Sequence, residues 1–150
     1  MKVTDLSVIV PAYNEETLIR ATLDGLSSFL SARSETFEIV VVDDGSQDRT
    51  VAVVRDWQTS NNVQLKLLVN ENNRGKGYSV RRGMLESCGR FVIFMDADLP
   101  YELDAIDDFL KALGSGHDLA LGSRVLPGSE VRGVSAIRYL AGQVFSWLEQ

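Results

Sequence analysis

Two carboxylates, Asp96 and Asp98, stand one residue apart at the end of the apolar run Phe91-Val92-Ile93-Phe94-Met95. A buried strand that ends this way brings like charges close together, and they repel unless a cation lies between them. Two hard oxygen donors suit Mg2+ or Mn2+, which take few protein carboxylates and fill their remaining positions with substrate phosphates and water. Zinc does not fit: there is no cysteine pair, and His117, the sole histidine, reads as an exposed turn residue. A D-x-D triplet by itself is common, so its weight depends on what accompanies it.

Other polar clusters follow other apolar runs. Leu6 to Val10 ends in Pro11-Ala12-Tyr13-Asn14-Glu15, and Phe37 to Val42 ends in Asp43-Asp44-Gly45-Ser46. An acid at a strand end can accept from a ribose hydroxyl or a base N–H. Val63 to Val69 runs into Asn70 and then Asn72-Asn73-Arg74-Gly75-Lys76-Gly77. The glycines there would let backbone N–H groups and Lys76 approach a phosphate at a helix N-terminus. The glycine spacing excludes a Walker-type loop. Leu119-Ala120-Leu121, expected as a short fifth strand, ends in Gly122-Ser123-Arg124.

The elements that must position these clusters alternate. The Ile19, Leu23, Leu26, Leu30 stripe predicts a helix over Glu15–Leu30. Ser46 is a candidate N-cap for a second helix carrying Val53 and Trp57. Further helices are predicted over Gly75–Cys88, along Leu103, Ile106, Phe109, Leu110 and Leu113, and over Ser135–Leu148. On the Gly75–Cys88 helix, Cys88 reads as a small buried hydrophobe. Strands separated by helices demand right-handed crossovers. The expected fold class is therefore α/β, a Rossmann-like, mostly parallel sheet with helices on both faces. Ligands of such sheets bind beyond the carboxyl ends of the strands, where every cluster above falls.

Bulk properties narrow the function. One hundred and fifty residues suit one domain, 1–150, and the net charge of −6 argues against a nucleic-acid binder. No segment nears the ~20 apolar residues of a membrane span, and none reads as a signal peptide. The single Cys88 forms no internal disulfide, which suits a cytoplasmic setting.

Assembled, "VIVPAYNEE" (8–16), "EIVVVDDGSQDRT" (38–50), "NRGKGYSVRRGM" (73–84), "FMDADLP" (94–100) and "LGSRVLPGSE" (121–130) resemble family 2 glycosyltransferases of the GT-A fold. Within that family the resemblance is to the polyprenyl-phosphate branch, the dolichyl-phosphate β-glucosyltransferases and dolichol-phosphate mannose synthases. It implies an inverting hexosyltransferase that uses UDP-glucose or GDP-mannose as donor and a polyprenyl phosphate as acceptor, at the cytoplasmic face of a membrane and in peripheral contact with it. Pro11, Tyr13 and Glu15 would line the base and ribose pocket. Asp44, with Asp43 or Val42 beside it, would contact the nucleoside. Gly75 and Lys76 would lie near the nucleotide. Asp96 and Asp98 would hold Mg2+ or Mn2+ against the diphosphate, with Ala97 between them beside the nucleotide. Arg124 and Arg138 would meet the acceptor phosphate or the donor diphosphate. Members of the branch usually run longer, so the chain is expected to be a C-terminally truncated catalytic domain.

The nature of the acceptor separates the remaining readings. A sugar hydroxyl needs a carboxylate base, whereas a phosphate is already anionic and needs cations to hold it. Beyond Asp98, the acids outside the 102–108 stretch are Asp118, Glu130 and Glu149, none in an obvious base motif, while Arg124, Arg132 and Arg138 crowd the same region. That balance favours a phosphate acceptor. The alternatives are a family 2 transferase acting on a glycan hydroxyl and a non-catalytic nucleotide-binding fragment. A nucleotidyltransferase would want a Gly- and Arg-rich loop where Pro11–Glu15 stands.

Overall fold

Parallel strands need a crossover between each pair, and here each crossover carries a helix. The computed structural model describes residues 4–33, 35–98 and 103–122. Its strands are β1 (Thr4–Ala12), β2 (Phe37–Asp43), β3 (Leu65–Val69) and β4 (Gly89–Phe94). Its helices are α1 (Ile19–Ser31), α2 (Thr50–Ser60), α3 (Lys76–Glu86) and α4 (Ala105–Gly114). The sheet order is β3-β2-β1-β4, and every pairing is parallel. Ile9 sits between Val40 and Phe94 in register. The chain adds strands on one side of β1 and then crosses to the other for β4. That reversal puts a topological switch point at the carboxyl end of β1, where open α/β sheets bind ligands.

Both faces of β1 are buried, which is why it reads as a continuous apolar run. Leu6, Val8 and Val10 join Ile39, Leu23, Leu26, Trp57 and Ile106 in the larger core, so α1, α2 and α4 all contribute to that face. Ile9, Val40 and Val42 form a smaller core with Leu68 and Val92. Against this second face α3 packs through Gly83. A Cβ there would lie 2.5 Å from Ile9 Cγ2 and 3.2 Å from Val42 Cγ2, so the missing side chain sets the approach of helix to sheet. The helices therefore cover both faces, as the sequence pattern requires.

The structure departs from the sequence expectations at several element ends. α1 starts at Ile19 rather than Glu15, and α2 at Thr50 rather than after Ser46, because the residues before them bond to each other's loops. Cys88 is exposed, not buried: α3 stops at Glu86, and the thiol lies 3.2 Å from Glu38 Oε1 in the connection to β4. Contacts divide the chain into Met1–Gly116 and His117–Gln150. In the described part of the second unit, Leu119-Ala120-Leu121 is not a strand, and both leucines are exposed. So short a run needs a neighbouring strand to satisfy its N–H and C=O groups, and none among the described residues supplies one. The helix expected over Ser135–Leu148 lies outside the described residues.

Gly83→Ala is expected to lower unfolding free energy by about 1–3 kcal/mol through overpacking. Gly114→Ala, where a Cβ meets nothing within 4 Å, should leave it near the wild-type value. Urea unfolding midpoints of the two variants check this.

Candidate active site at the switch point

The loops after β1 and β2 are laced together by backbone-to-side-chain hydrogen bonds. Asn14 takes a left-handed φ of 56°. Its N–H donates to Ser46 Oγ (2.9 Å), and its Oδ1 accepts from the Gln47 N–H (2.9 Å). The Glu15 N–H donates to Thr50 Oγ1 (2.8 Å), the Glu16 N–H to Asp48 Oδ2 (3.1 Å), and the Arg49 N–H to Glu16 Oε2 (2.9 Å). Ser46 thus braces the neighbouring loop instead of capping a helix. The bracing turns Tyr13 and Glu15 onto the end of the sheet.

Asp44 organises the third loop. It is 4% exposed. Its Oδ1 accepts from Asn70 Nδ2 (2.7 Å) and the Arg74 N–H (3.0 Å), and its Oδ2 from the Gly75 N–H (2.8 Å). Burial alone would raise its pKa. The bonds from the Arg74 N–H, Asn70, Ser79 and the Gly75 N–H outweigh that and hold it below the ordinary carboxylate value. Asn70 is steadied in turn by Arg82, whose Nη1 donates to Asn70 Oδ1 (2.6 Å) and to the Val69 carbonyl (2.8 Å). Gly45, at φ 75°, lets the two loops touch: a Cβ there would lie 2.7 Å from the Asn72 carbonyl carbon.

Asp96, Ala97 and Asp98 follow β4 after the single residue Met95. The Met95 N–H donates to the Ile9 carbonyl (3.0 Å), and the buried Thr22 hydroxyl of α1 donates to the Ala97 carbonyl. The turn is therefore fixed to β1 and α1. Lys76, the first residue of α3, forms an ion pair with Asp96 Oδ1.

These pieces enclose a cavity of about 370 Å3. Pro11 at the end of β1 lines it with Tyr13 and Glu15 of the loop that follows, Asp44 lines it from after β2, Gly75, Lys76 and Ser79 from the start of α3, and Asp96, Ala97 and Asp98 from the turn after β4. The structure thus gathers nine of the residues singled out from sequence around one space. Val42 is not among them, since its side chain is in the α3-side core. Nor is Asp43, which is 1% exposed and accepts from the Ser46 N–H (3.0 Å). Arg124 and Arg138 lie outside the described residues. Sequence reasoning missed Ser79, three residues beyond Lys76 on one helix face, and Thr22, whose partner is a backbone carbonyl far along the chain. A larger hollow of about 510 Å3 runs along β3, lined by Arg55, Gln58, Leu65 and Lys66 among others, and has none of this chemistry.

The charge of the cavity bears on a metal. Burial, and behind it the carboxylates of Asp98, Asp48 and Asp96, push Glu15 above its ordinary pKa. Among the described residues, no three His, Cys, Asp or Glu side chains gather closely enough to hold an ion by themselves. Two carboxylates in an electronegative cavity with no soft donors fit a hard divalent ion that takes its other ligands from phosphate and water.

The sequence profile described as "Glycosyl transferase family 2" matches residues 7–140. The chain belongs to that family. A dolichyl-phosphate beta-glucosyltransferase of Drosophila melanogaster is 41% identical over 133 residues, 80% of this chain and 40% of the relative. A dolichol-phosphate mannosyltransferase of Pyrococcus furiosus is 33% identical over 126 residues, 84% of this chain and 35% of the relative. Among solved structures, the mannosyltransferase PcManGT of Pyrobaculum calidifontis, in complex with GDP-Man and Mn2+, superposes with a TM-score of 0.63 at 30% identity. That match covers 75% of this chain and 33% of the other. The fold is the GT-A fold of this family. The chain spans less than half the length of these relatives.

Asp44 gives the site a pH signature. A carboxylate whose folded pKa is depressed adds stability above its unfolded value, about 3.9, and loses it as pH falls through the lower folded value. Asp44→Asn should cost about 1–3 kcal/mol at neutral pH and flatten the fall in stability below about pH 4. Denaturant unfolding of both proteins across pH 2–7 measures it.

Proposed function

We propose that the protein is an inverting glycosyltransferase that moves a hexose from a nucleoside-diphosphate sugar to a polyprenyl phosphate. The observation that carries this reading is the shared cavity of Asp96, Asp98, Lys76, Gly75 and Tyr13 at the switch point of the sheet. The names of the relatives support the donor and acceptor classes, and the Mn2+ of the Pyrobaculum structure supports a divalent ion, with Mg2+ the other candidate.

In this reading Tyr13, 42% exposed, offers its ring to the base, and Glu15 and Pro11 bound the ribose. Asp44 acts by holding the Arg74 and Gly75 N–H groups in place, so that Gly75 and Lys76 face the diphosphate. Asp96 and Asp98 would hold Mg2+ or Mn2+. Such an ion supplies Lewis-acid stabilisation of the charge that grows on the leaving diphosphate. Lys76 adds a fixed positive charge to the same group. The acceptor phosphate oxygen attacks the anomeric carbon from the face opposite the diphosphate. The anomeric C–O bond breaks as the new one forms, the electron pair leaves with the diphosphate, and the configuration inverts. An anionic acceptor needs no general base, so the cavity requires none. Arg124 and Arg138 are proposed to hold that phosphate.

Among the described residues no helix is long and apolar enough to cross a membrane. A lipid-linked acceptor would bring the protein to a membrane surface, proposed to be the cytoplasmic one.

The test is transfer from UDP-glucose and from GDP-mannose to a short polyprenyl phosphate, with Mg2+ or Mn2+ and with chelator. One donor is expected to give a metal-dependent lipid product, and Asp98→Ala to slow it by about 100-fold or more. Transfer only to a glycan hydroxyl would contradict the acceptor assignment. Undiminished transfer by Asp98→Ala would contradict the metal assignment.

A further inference from the structure

The Lys76–Asp96 pair sets a cation on the carboxylate that the proposed reading gives to the metal. Lys76 opens α3, where the helix dipole disfavours a positive charge, and the first turn of that helix contains no acid. Its position is built by the chain: Asp44 fixes the N–H groups of Arg74 and Gly75 immediately before it. Asp96 then offsets the unfavourable placement. Among the described residues no Lys or Arg pairs with Asp98. The two carboxylates of the D-x-D turn are therefore unequal among the described residues: Asp96 is paired with a lysine, and Asp98 with no Lys or Arg.

The pair is also easily parted. Lys76 is 55% exposed and Asp96 39%, so solvent screens the attraction and the flexible lysine stem can swing away. A diphosphate in the cavity offers the ammonium a denser anion. A metal ion held by Asp96 and Asp98 would compete with the ammonium for the Asp96 carboxylate, so whatever draws Lys76 off Asp96 would raise the affinity for metal. By linkage, metal then raises the affinity for that anion equally.

We infer that Lys76 is a placeholder cation that suppresses metal binding until a diphosphate takes its ammonium, coupling the binding of the two. The inference rests on the proposed metal role of Asp96 and Asp98.

The test is Mn2+ binding, followed by electron paramagnetic resonance of the free ion, to the wild-type protein, Lys76→Met, Lys76→Gln and Arg81→Met. Arg81 is an exposed cation on the same helix, and its removal controls for loss of charge alone. Circular dichroism verifies folding, and two Lys76 variants guard against one that misfolds. Without nucleotide, Lys76→Met and Lys76→Gln should bind Mn2+ about fivefold more tightly than wild type, as expected for release of an exposed ion pair. Arg81→Met should match wild type. Adding UDP or GDP should tighten Mn2+ binding more in wild type than in the Lys76 variants. Equal affinity in wild type and the Lys76 variants, with nucleotide present or absent, would overturn the inference while leaving the metal assignment standing. Equal tightening by Lys76→Met and Arg81→Met would reduce it to bulk charge and overturn it. Failure of every protein to bind Mn2+ even with UDP and GDP would overturn the metal assignment and the inference with it.

Discussion

The buried carboxylate of Asp44 is the interaction on which the site depends. It leaves the end of β2 and takes the N–H groups of Arg74 and Gly75, the amide of Asn70 and the hydroxyl of Ser79. A loop rich in Gly and Asn has no apolar side chains with which to order itself, and here an anion orders it from beneath. The ion stays charged because its hydrogen bonds outweigh the cost of its burial. The clamp sets where α3 begins, and the start of α3 sets where Lys76 points. Removing the charge would weaken the hydrogen bonds that hold the start of α3, and losing one partner of a buried pair costs more than a single contact gains.

The rest of the site is an arrangement of charge around that clamp. Acids gather after β1, β2 and β4, and burial, with the field of Asp98, Asp48 and Asp96 behind it, already raises Glu15. Among the described residues the cations near the site come from α3 and the loop before it: Lys76 reaches Asp96, Arg82 is spent on Asn70 and the Val69 carbonyl, and Arg74 stacks 3.7 Å from the Tyr78 ring centroid. Among the described residues the cavity therefore holds more acidic than basic side chains. Such a site is poised for a divalent ion accompanied by an anion, and poorly suited to a diphosphate alone.

Much of this was legible in sequence, for physical reasons. Apolar runs ending in polar clusters mark strands buried on both faces, so the parallel sheet and the common location of the clusters followed from periodicity and connection rules. What periodicity does not carry is the destination of a side-chain oxygen. Ser46 has the chemistry of an N-cap, yet its hydroxyl serves Asn14, so both adjoining helices start late. Asp44 has the chemistry of a ligand contact, yet its oxygens serve a loop 30 residues on. Val42 and Asp43 looked like neighbours at a strand end, but the pleat of β2 turns one into the core beneath α3 and leaves the other buried under the Ser46 N–H. Leu119-Ala120-Leu121 had a strand's composition without a strand's partner among the described residues.

In the proposed reading, one electronegative cavity, framed by the ends of β1, β2 and β4 and the start of α3, takes a divalent ion and a nucleoside diphosphate together. Paramagnetic broadening of backbone amide resonances by substoichiometric Mn2+, in the presence of UDP or GDP, tests its location directly. Binding in this cavity should remove the Tyr13, Gly75, Lys76, Ala97 and Asp98 signals selectively, with the α4 amides of Asp107 and Asp108 retained. Broadening centred on α4, or spread evenly over the acidic surface with the cavity amides untouched, would contradict it.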